Sequence, residues 1–138
     1  MIGAYIHYML EDALADSFDN EELCLDISIL DGIRSLQNEG EPDVLTELIN
    51  LYIKDSSAHM QRVSLAFSQK DEPLLRRSLH SLKGISGNLG ATRFSRYCSE
   101  LNEQLDQHIT FEDLYAWLPK LQEEHEWVCE LLRAERVD

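Results

Sequence analysis

Along most of the chain the apolar positions recur at intervals of three and four residues and almost never alternate, which is the spacing of amphipathic helices. Ile6, Met9, Leu10 and Ala13 share one side of a short helix over about 2–15. Ile29, Leu30, Ile33 and Leu36 do the same over about 26–38, and "NEGEPD" then breaks the pattern. Pro42 suits a first helical turn. The long helix that follows, to about 69, is striped by Val44, Leu45, Leu48, Tyr52, Met60, Val63 and Phe67. Asp71 is a good N-cap and Pro73 sits in the first turn of the next helix, which runs to about 89, where Gly90 suits a C-cap. Thr92 offers a cap for a helix to about 107, with Phe94, Cys98, Leu101 and Leu105 inward. Thr110 and Asp113 resemble a capping box. The last helix, to about 133, repeats Leu114, Leu118, Leu121, His125, Val128 and Leu132, with Pro119 as a candidate kink. No β-branched run or sustained period-two segment interrupts this series. The prediction is an all-α chain, an antiparallel bundle of long helices on short connections.

Composition narrows the picture only slightly. The chain's 138 residues fit one domain with its own core. Hydrophobic residues make up 43% and charged residues 28%, an ordinary globular balance. The longest apolar stretch falls far short of the roughly 20 residues a membrane-spanning helix needs. The opening "MIGAYIHYML" has no basic segment and meets Glu11 and Asp12 at once, which does not suit a signal peptide. Cys24, Cys98 and Cys129 are odd in number and form no CxxC pair, so a reduced, cytoplasmic setting is expected.

Charge changes the picture more. A formal net charge of −14 argues against nucleic acid and anionic membrane as partners. The acids are unevenly spread. The 27 residues from Pro73 to Ser99 contain no Asp or Glu, although the chain holds 26 acids; an even spread would place about five there. The same window carries Arg76, Arg77, Lys83, Arg93 and Arg96. An acidic protein thus has one basic patch, with His80 in its middle.

That patch contains "LHSLKGISGNLGA", residues Leu79 to Ala91. At roughly 100° per residue, Leu75, Leu79, Leu82, Ser86 and Leu89 fall on one face of a helix, the core face. Ser86 is small enough to return its hydroxyl to the backbone. His80, Gly84, Gly87 and Ala91 form a column on nearly the opposite side, flanked by Arg76 and Lys83 on one edge and by Arg77 on the other. A glycine in a helix interior costs about 1 kcal/mol relative to alanine. The P-loop order GxxxxGK[ST] is absent, so these glycines do not cradle a phosphate in a loop. Clearance explains them: something large must approach the imidazole. A neutral surface imidazole is a nucleophile near pH 7. A phosphoryl group on it would bring about −1.5 to −2 charges, within reach of Lys83 three residues on. Periodicity alone suits two other accounts equally, an ordinary surface histidine and glycines that merely permit a close helix crossing.

"HSLKGISGNLGA" resembles the signature of histidine-containing phosphotransfer (HPt) domains, approximately H-x-L-K-G-S-S-x-N-L-G-A. His80, Leu82, Lys83, Gly84, Ser86, Asn88, Leu89, Gly90 and Ala91 match it, and Ile85 replaces the usual small residue. The resemblance extends over about 26–105, although Asn102 stands where an acid is common. It implies a four-helix bundle, here over 26–138, behind an N-terminal helical extension, 1–25. It implies that Nε2 of His80 accepts a phosphoryl group from the aspartyl phosphate of one receiver domain and passes it to another. Lys83 would steady the phosphoryl oxygens. Gly84 would let the receiver approach, with Gly87, Arg76, Arg77 and Ala91 at the docking surface. The chain itself would need no cofactor, because the Mg²⁺ belongs to the receiver, whose acidic pocket suits the acid-free patch. The expected partners are response-regulator receivers or a hybrid sensor kinase, met by a monomer without kinase activity of its own. Two alternatives are a receiver- or kinase-binding module that transfers nothing, and the phosphoacceptor domain of a larger sensor or chemotaxis-type kinase.

Other candidates are weaker. His125 and Cys129, four residues apart, are too few for a zinc site, and His125 fits the apolar stripe, so core packing is expected and no metal site is assigned. His7, His59 and His108 read as ordinary polar residues, and Trp117 and Trp127 as core or edge-of-core residues.

Overall fold

Six helices form the regular structure of residues 23–137, which the computed structural model describes. They are α1 (Ile27–Arg34), α2 (Val44–Gln69), α3 (Glu72–Asn88), α4 (Thr92–Leu105), α5 (Phe111–Leu114) and α6 (Trp117–Ala134). No strand occurs among the described residues, and no helix there is long and apolar enough to cross a membrane. The fold is an all-α helical bundle in which α2, α3, α4 and α6 are the four long helices. The helix expected over 2–15 lies outside the described residues.

The connections follow from local chemistry. The Asp43 carboxylate accepts the Thr46 N–H, so α2 starts at Val44 and Pro42 precedes the cap instead of entering the first turn. Gln37 holds this corner: its amide donates to the Glu41 and Pro42 carbonyls and its Oε1 accepts the Val44 N–H at 2.7 Å. That bracing competes with further helix, so α1 stops at Arg34 and Leu36, expected inward, is 69% exposed. Lys70 ends α2 in the left-handed conformation, and Asp71 caps α3 by accepting the Leu74 N–H. A two-residue connection of this kind folds α3 back antiparallel on α2.

The next corner uses Gly90, whose φ is +81°. Its carbonyl accepts the Asp26 N–H at 2.7 Å, which fastens the chain entering α1 to the α3–α4 turn. Ala91, not Thr92, occupies the N-cap of α4; Thr92 is the first helical residue and its hydroxyl donates to the Leu23 carbonyl. The last helix divides. Thr110 accepts the Asp113 N–H and opens α5, and α6 begins only at Trp117. Pro119 therefore sits in the first turn of α6, where its missing N–H sacrifices no helical bond, and no kink arises from it.

Leucines and aromatics from all four long helices fill the core. Leu45, Ile49, Val63, Leu75, Leu79, Leu82, Phe94, Cys98, Leu101, Leu121, Val128 and Leu132 are fully buried. Ile49 takes the inward place expected of Leu48, which lies partly exposed. Polar contacts also cross this core. Tyr52 and Ser86 share a hydrogen bond of 2.8 Å, so the Ser86 hydroxyl meets α2 and not its own backbone. Ser56 Oγ lies 2.7 Å from His125 Nε2, which also touches Cys129 Sγ at 3.4 Å. Arg93 donates through Nε and one terminal nitrogen to both oxygens of Glu124, at 3.0 and 3.1 Å, with both side chains buried. Its guanidinium also lies over Trp127, 4.9 Å from the ring centroid. Arg93 is thereby removed from the basic surface to which the sequence assigned it.

Candidate functional site

The α3 helix separates its faces sharply. Leu75, Ser78, Leu79, Leu82 and Ser86 are buried, and Arg77, His80, Lys83 and Gly84 are exposed. The separation is a direct product of three- and four-residue spacing: the leucines commit one face to the core, and His80 lies on the other. His80 is thus presented in mid-helix on rigid backbone. Lys83 stands three residues later on the same side, close enough for its ammonium to meet charge added to the imidazole.

The two glycines after His80 are not equivalent. A Cβ placed on Gly84 would meet nothing within 4 Å, so the backbone one turn beyond the histidine faces open space. A Cβ on Gly87 would lie 3.6 Å from Ser95 Oγ, an ordinary contact. Gly87 is half-buried and turned toward α4, whose Ser95 hydroxyl donates to the Lys83 carbonyl at 2.9 Å. Ala91 leaves the column altogether. It is fully buried because α3 ends at Asn88 and the chain reverses at Gly90. The open surface beside His80 therefore comes from Gly84, bordered by Arg77 and Lys83.

The surrounding charges also sort themselves. Arg76 donates to Asp106 at 2.7 Å and approaches Glu72 at 3.5 Å, so carboxylates from outside the acid-free window meet its charge. The hydrogen bond to Asp106 raises its pKa further. Arg96 pairs with Glu100. Arg77 has no carboxylate partner among the described residues. A cation the sequence pattern did not single out stands opposite it. Arg62 on α2 shares a groove with Arg77, Ser78 and Ser81 of α3. The signal was the short connection at Lys70–Asp71, which folds α3 back on α2 and brings residues at comparable distances from it face to face. Tyr52 meets Ser86 by the same register.

Among the described residues no group of three or more His, Cys, Asp or Glu side chains is placed to hold a metal ion. Burial pushes the His125 imidazole down to about 4. Burial likewise raises the Cys129 thiol to about 11 and, further still, Cys98. These are core groups, remote in character from the exposed His80.

The profile of the Hpt domain family matches residues 47–132, which include the whole His80 motif. The chain belongs to that family. Two plant proteins are similar to it: histidine-containing phosphotransfer protein 5 of Arabidopsis thaliana, 31% identical over 77 residues, and histidine-containing phosphotransfer protein 1, 31% identical over 68 residues. The first match covers 54% of this chain and 49% of the relative, the second 48% and 44%. The matched segment thus spans about half the length of each curated relative. Among solved structures, histidine-containing phosphotransfer protein B (HptB) of Pseudomonas aeruginosa PAO1 superposes with a TM-score of 0.69 at 26% identity, over 81% of this chain and 93% of that one.

Proposed function

We propose that this protein is a phosphoryl carrier in a multistep His–Asp phosphorelay, with His80 as the phosphoacceptor. The observation that carries this is an exposed imidazole on rigid helix, next to a backbone surface that Gly84 leaves bare. In the forward step the Nε2 lone pair of His80 attacks the phosphorus of an aspartyl phosphate held by a receiver domain. The N–P bond forms, the P–O bond to the aspartate breaks, and the aspartate leaves as a carboxylate. The reverse sequence delivers the group to the aspartate of a second receiver. Lys83 offsets the negative charge of the phosphoryl oxygens. Gly84 allows the receiver's active-site loops to approach the ring. Mg²⁺ is the receiver's, held by the receiver's own acids. The chain supplies a nucleophile, a cation and clearance, and phosphate reaches it only from a partner.

The test is incubation with a panel of phosphorylated receivers, followed by assay for acid-labile, base-stable phosphate. Labelling of the wild-type protein and none of His80→Gln, with an unchanged circular dichroism spectrum, is the expected result. Labelling of His80→Gln would overturn the assignment. Receiver binding by the wild-type chain without any labelling would favour a docking module that transfers nothing.

A further inference from the structure

Among the described residues five of the eight arginines pair with carboxylates, and Arg136 donates to the Asn50 side-chain oxygen. Arg34 pairs with Asp31 and Glu135, Arg76 with Glu72 and Asp106, Arg96 with Glu100, and Arg133 with Glu130. Arg93 is spent on Glu124 in the core. Arg62 and Arg77 meet no carboxylate among the described residues, and they line the same groove, about 320 Å³, between α2 and α3. Its other lining residues are His59, Leu74, Ser78 and Ser81, none of them acidic.

The groove is built, not merely basic. Arg62 lies 3.1 Å from Nδ1 of His59. A guanidinium only donates, so Nδ1 must be the acceptor and His59 is held as the neutral Nε2–H tautomer. His59 thus aims Arg62 without competing for an anion as an acid would. On the facing helix, Arg77 precedes His80 by three residues and Ser81 follows it directly, so the groove opens on the α2 flank of the proposed phosphoacceptor. One helical turn separates them, roughly 5 Å along the axis. A body seated over His80 reaches this groove if it extends one turn along α3 toward α2.

We propose that the Arg62–Arg77 groove is a partner-selecting site that takes a carboxylate side chain from the docking receiver, separately from the phosphoryl contact at Lys83. This rests on the phosphorelay reading above. Two guanidiniums facing one groove match a carboxylate in charge and in donor geometry. Their cost in self-repulsion is relieved only when an anion enters. Receivers with an acid on the corresponding flank dock tightly, and those with a neutral or basic residue there dock weakly.

The experiment measures binding of unphosphorylated receivers from the panel to the full chain, across ionic strength. The variants are Arg62→Glu, Arg62→Gln and, as a control away from the groove, Arg133→Glu. For the tightest-binding receiver, Arg62→Glu should raise Kd by about tenfold or more and flatten its salt dependence, Arg62→Gln should do so less, and Arg133→Glu should change little. Thermal melts confirm that each variant folds. Arg62 lies on α2 and makes no core contact of its own, so the neutral Arg62→Gln variant keeps the test valid if charge reversal disturbs folding. Binding by Arg62→Glu and Arg62→Gln equal to wild type, with the same salt slope, overturns the groove assignment and leaves the relay reading standing. Failure of the wild-type chain to bind any receiver overturns both.

Discussion

A Cβ on Gly90 would lie 2.7 Å from the Asp26 carbonyl oxygen, at a residue whose φ is +81°. Both facts demand glycine, the first because another stretch of backbone passes too close, the second because an L side chain is strained there. The Asp26 N–H also donates to the Gly90 carbonyl, so the contact joins the start of α1 to the turn that ends α3. The glycine ending the His80 motif therefore serves the scaffold, whereas Gly84 within the motif meets no neighbour.

Gly90→Ala is accordingly expected to destabilise the protein by about 1–3 kcal/mol, through backbone strain and displacement of the Asp26 segment. Gly32→Ala is the matched comparison. A Cβ on Gly32 meets nothing within 4 Å and the residue lies inside α1, so that change should be neutral or stabilising by up to about 1 kcal/mol. Urea midpoints of the two variants should move in opposite directions, or only that of Gly90→Ala should move.

The contrast shows what was legible in the sequence and what was not. Helical spacing predicted the buried row Leu75, Leu79, Leu82 and the exposed His80, because a two-faced helix has only one way to bury its leucines. Spacing alone placed Ala91 on the His80 column, and that failed once the helix ended at Asn88. It also counted Arg93 as surface charge. Only the approach of α6, which brings Glu124, makes burial of that guanidinium possible, and no local pattern reports a partner 31 residues away. The same periodicity assigns Leu36 inward, and Gln37 interrupts it by bracing the next corner.

Arg93 and Glu124 carry a second prediction. Both are buried and joined by two hydrogen bonds, so removing the acid takes from the buried guanidinium the carboxylate that accepts both of them. Glu124→Leu should cost about 3–5 kcal/mol. The double variant Arg93→Met/Glu124→Leu should recover most of that loss, because two apolar side chains can fill the site without an orphaned charge. Chemical denaturation of wild type, the two single variants Glu124→Leu and Arg93→Met, and the double variant forms the cycle, and a Glu124→Leu variant as stable as wild type would refute the coupling.

His125 gives the pH dependence. Burial, chiefly, holds its imidazole down to about 4 in the folded protein, against about 6.5 in the unfolded chain. The unfolded state therefore binds the proton more tightly. The stability from keeping this ring neutral is fully present above pH 6.5 and is lost progressively as pH falls toward 4, amounting to about 3 kcal/mol across that window. The pair with Ser56 Oγ at 2.7 Å is maintained by either neutral tautomer. Melting temperatures of wild type should fall between pH 7 and pH 4.5 more steeply than those of His125→Gln, which starts less stable but has no proton to gain there. Parallel slopes would show that other groups set the acid limb.

Gly84→Gln and Lys83→Ala separate clearance from charge. A side chain at position 84 would point into open space one turn beyond His80, so it strains nothing in the isolated protein. Replacing a mid-helix glycine with a good helix former should leave stability unchanged or raise it by a fraction of ~1 kcal/mol. The same side chain occupies the volume that a docking receiver needs, so binding and phosphoryl transfer should weaken together. Lys83→Ala leaves the approach open. The receiver should still bind within a few-fold of wild type, while transfer slows by roughly tenfold or more, because the lysine acts on charge carried by the phosphoryl group and not on docking. Titrating one receiver against each variant, with binding and single-turnover transfer read in parallel, gives the two patterns. Normal transfer by Gly84→Gln would assign the bare surface at Gly84 to something other than access to His80. Equal losses of binding and rate in Lys83→Ala would make the lysine a docking contact.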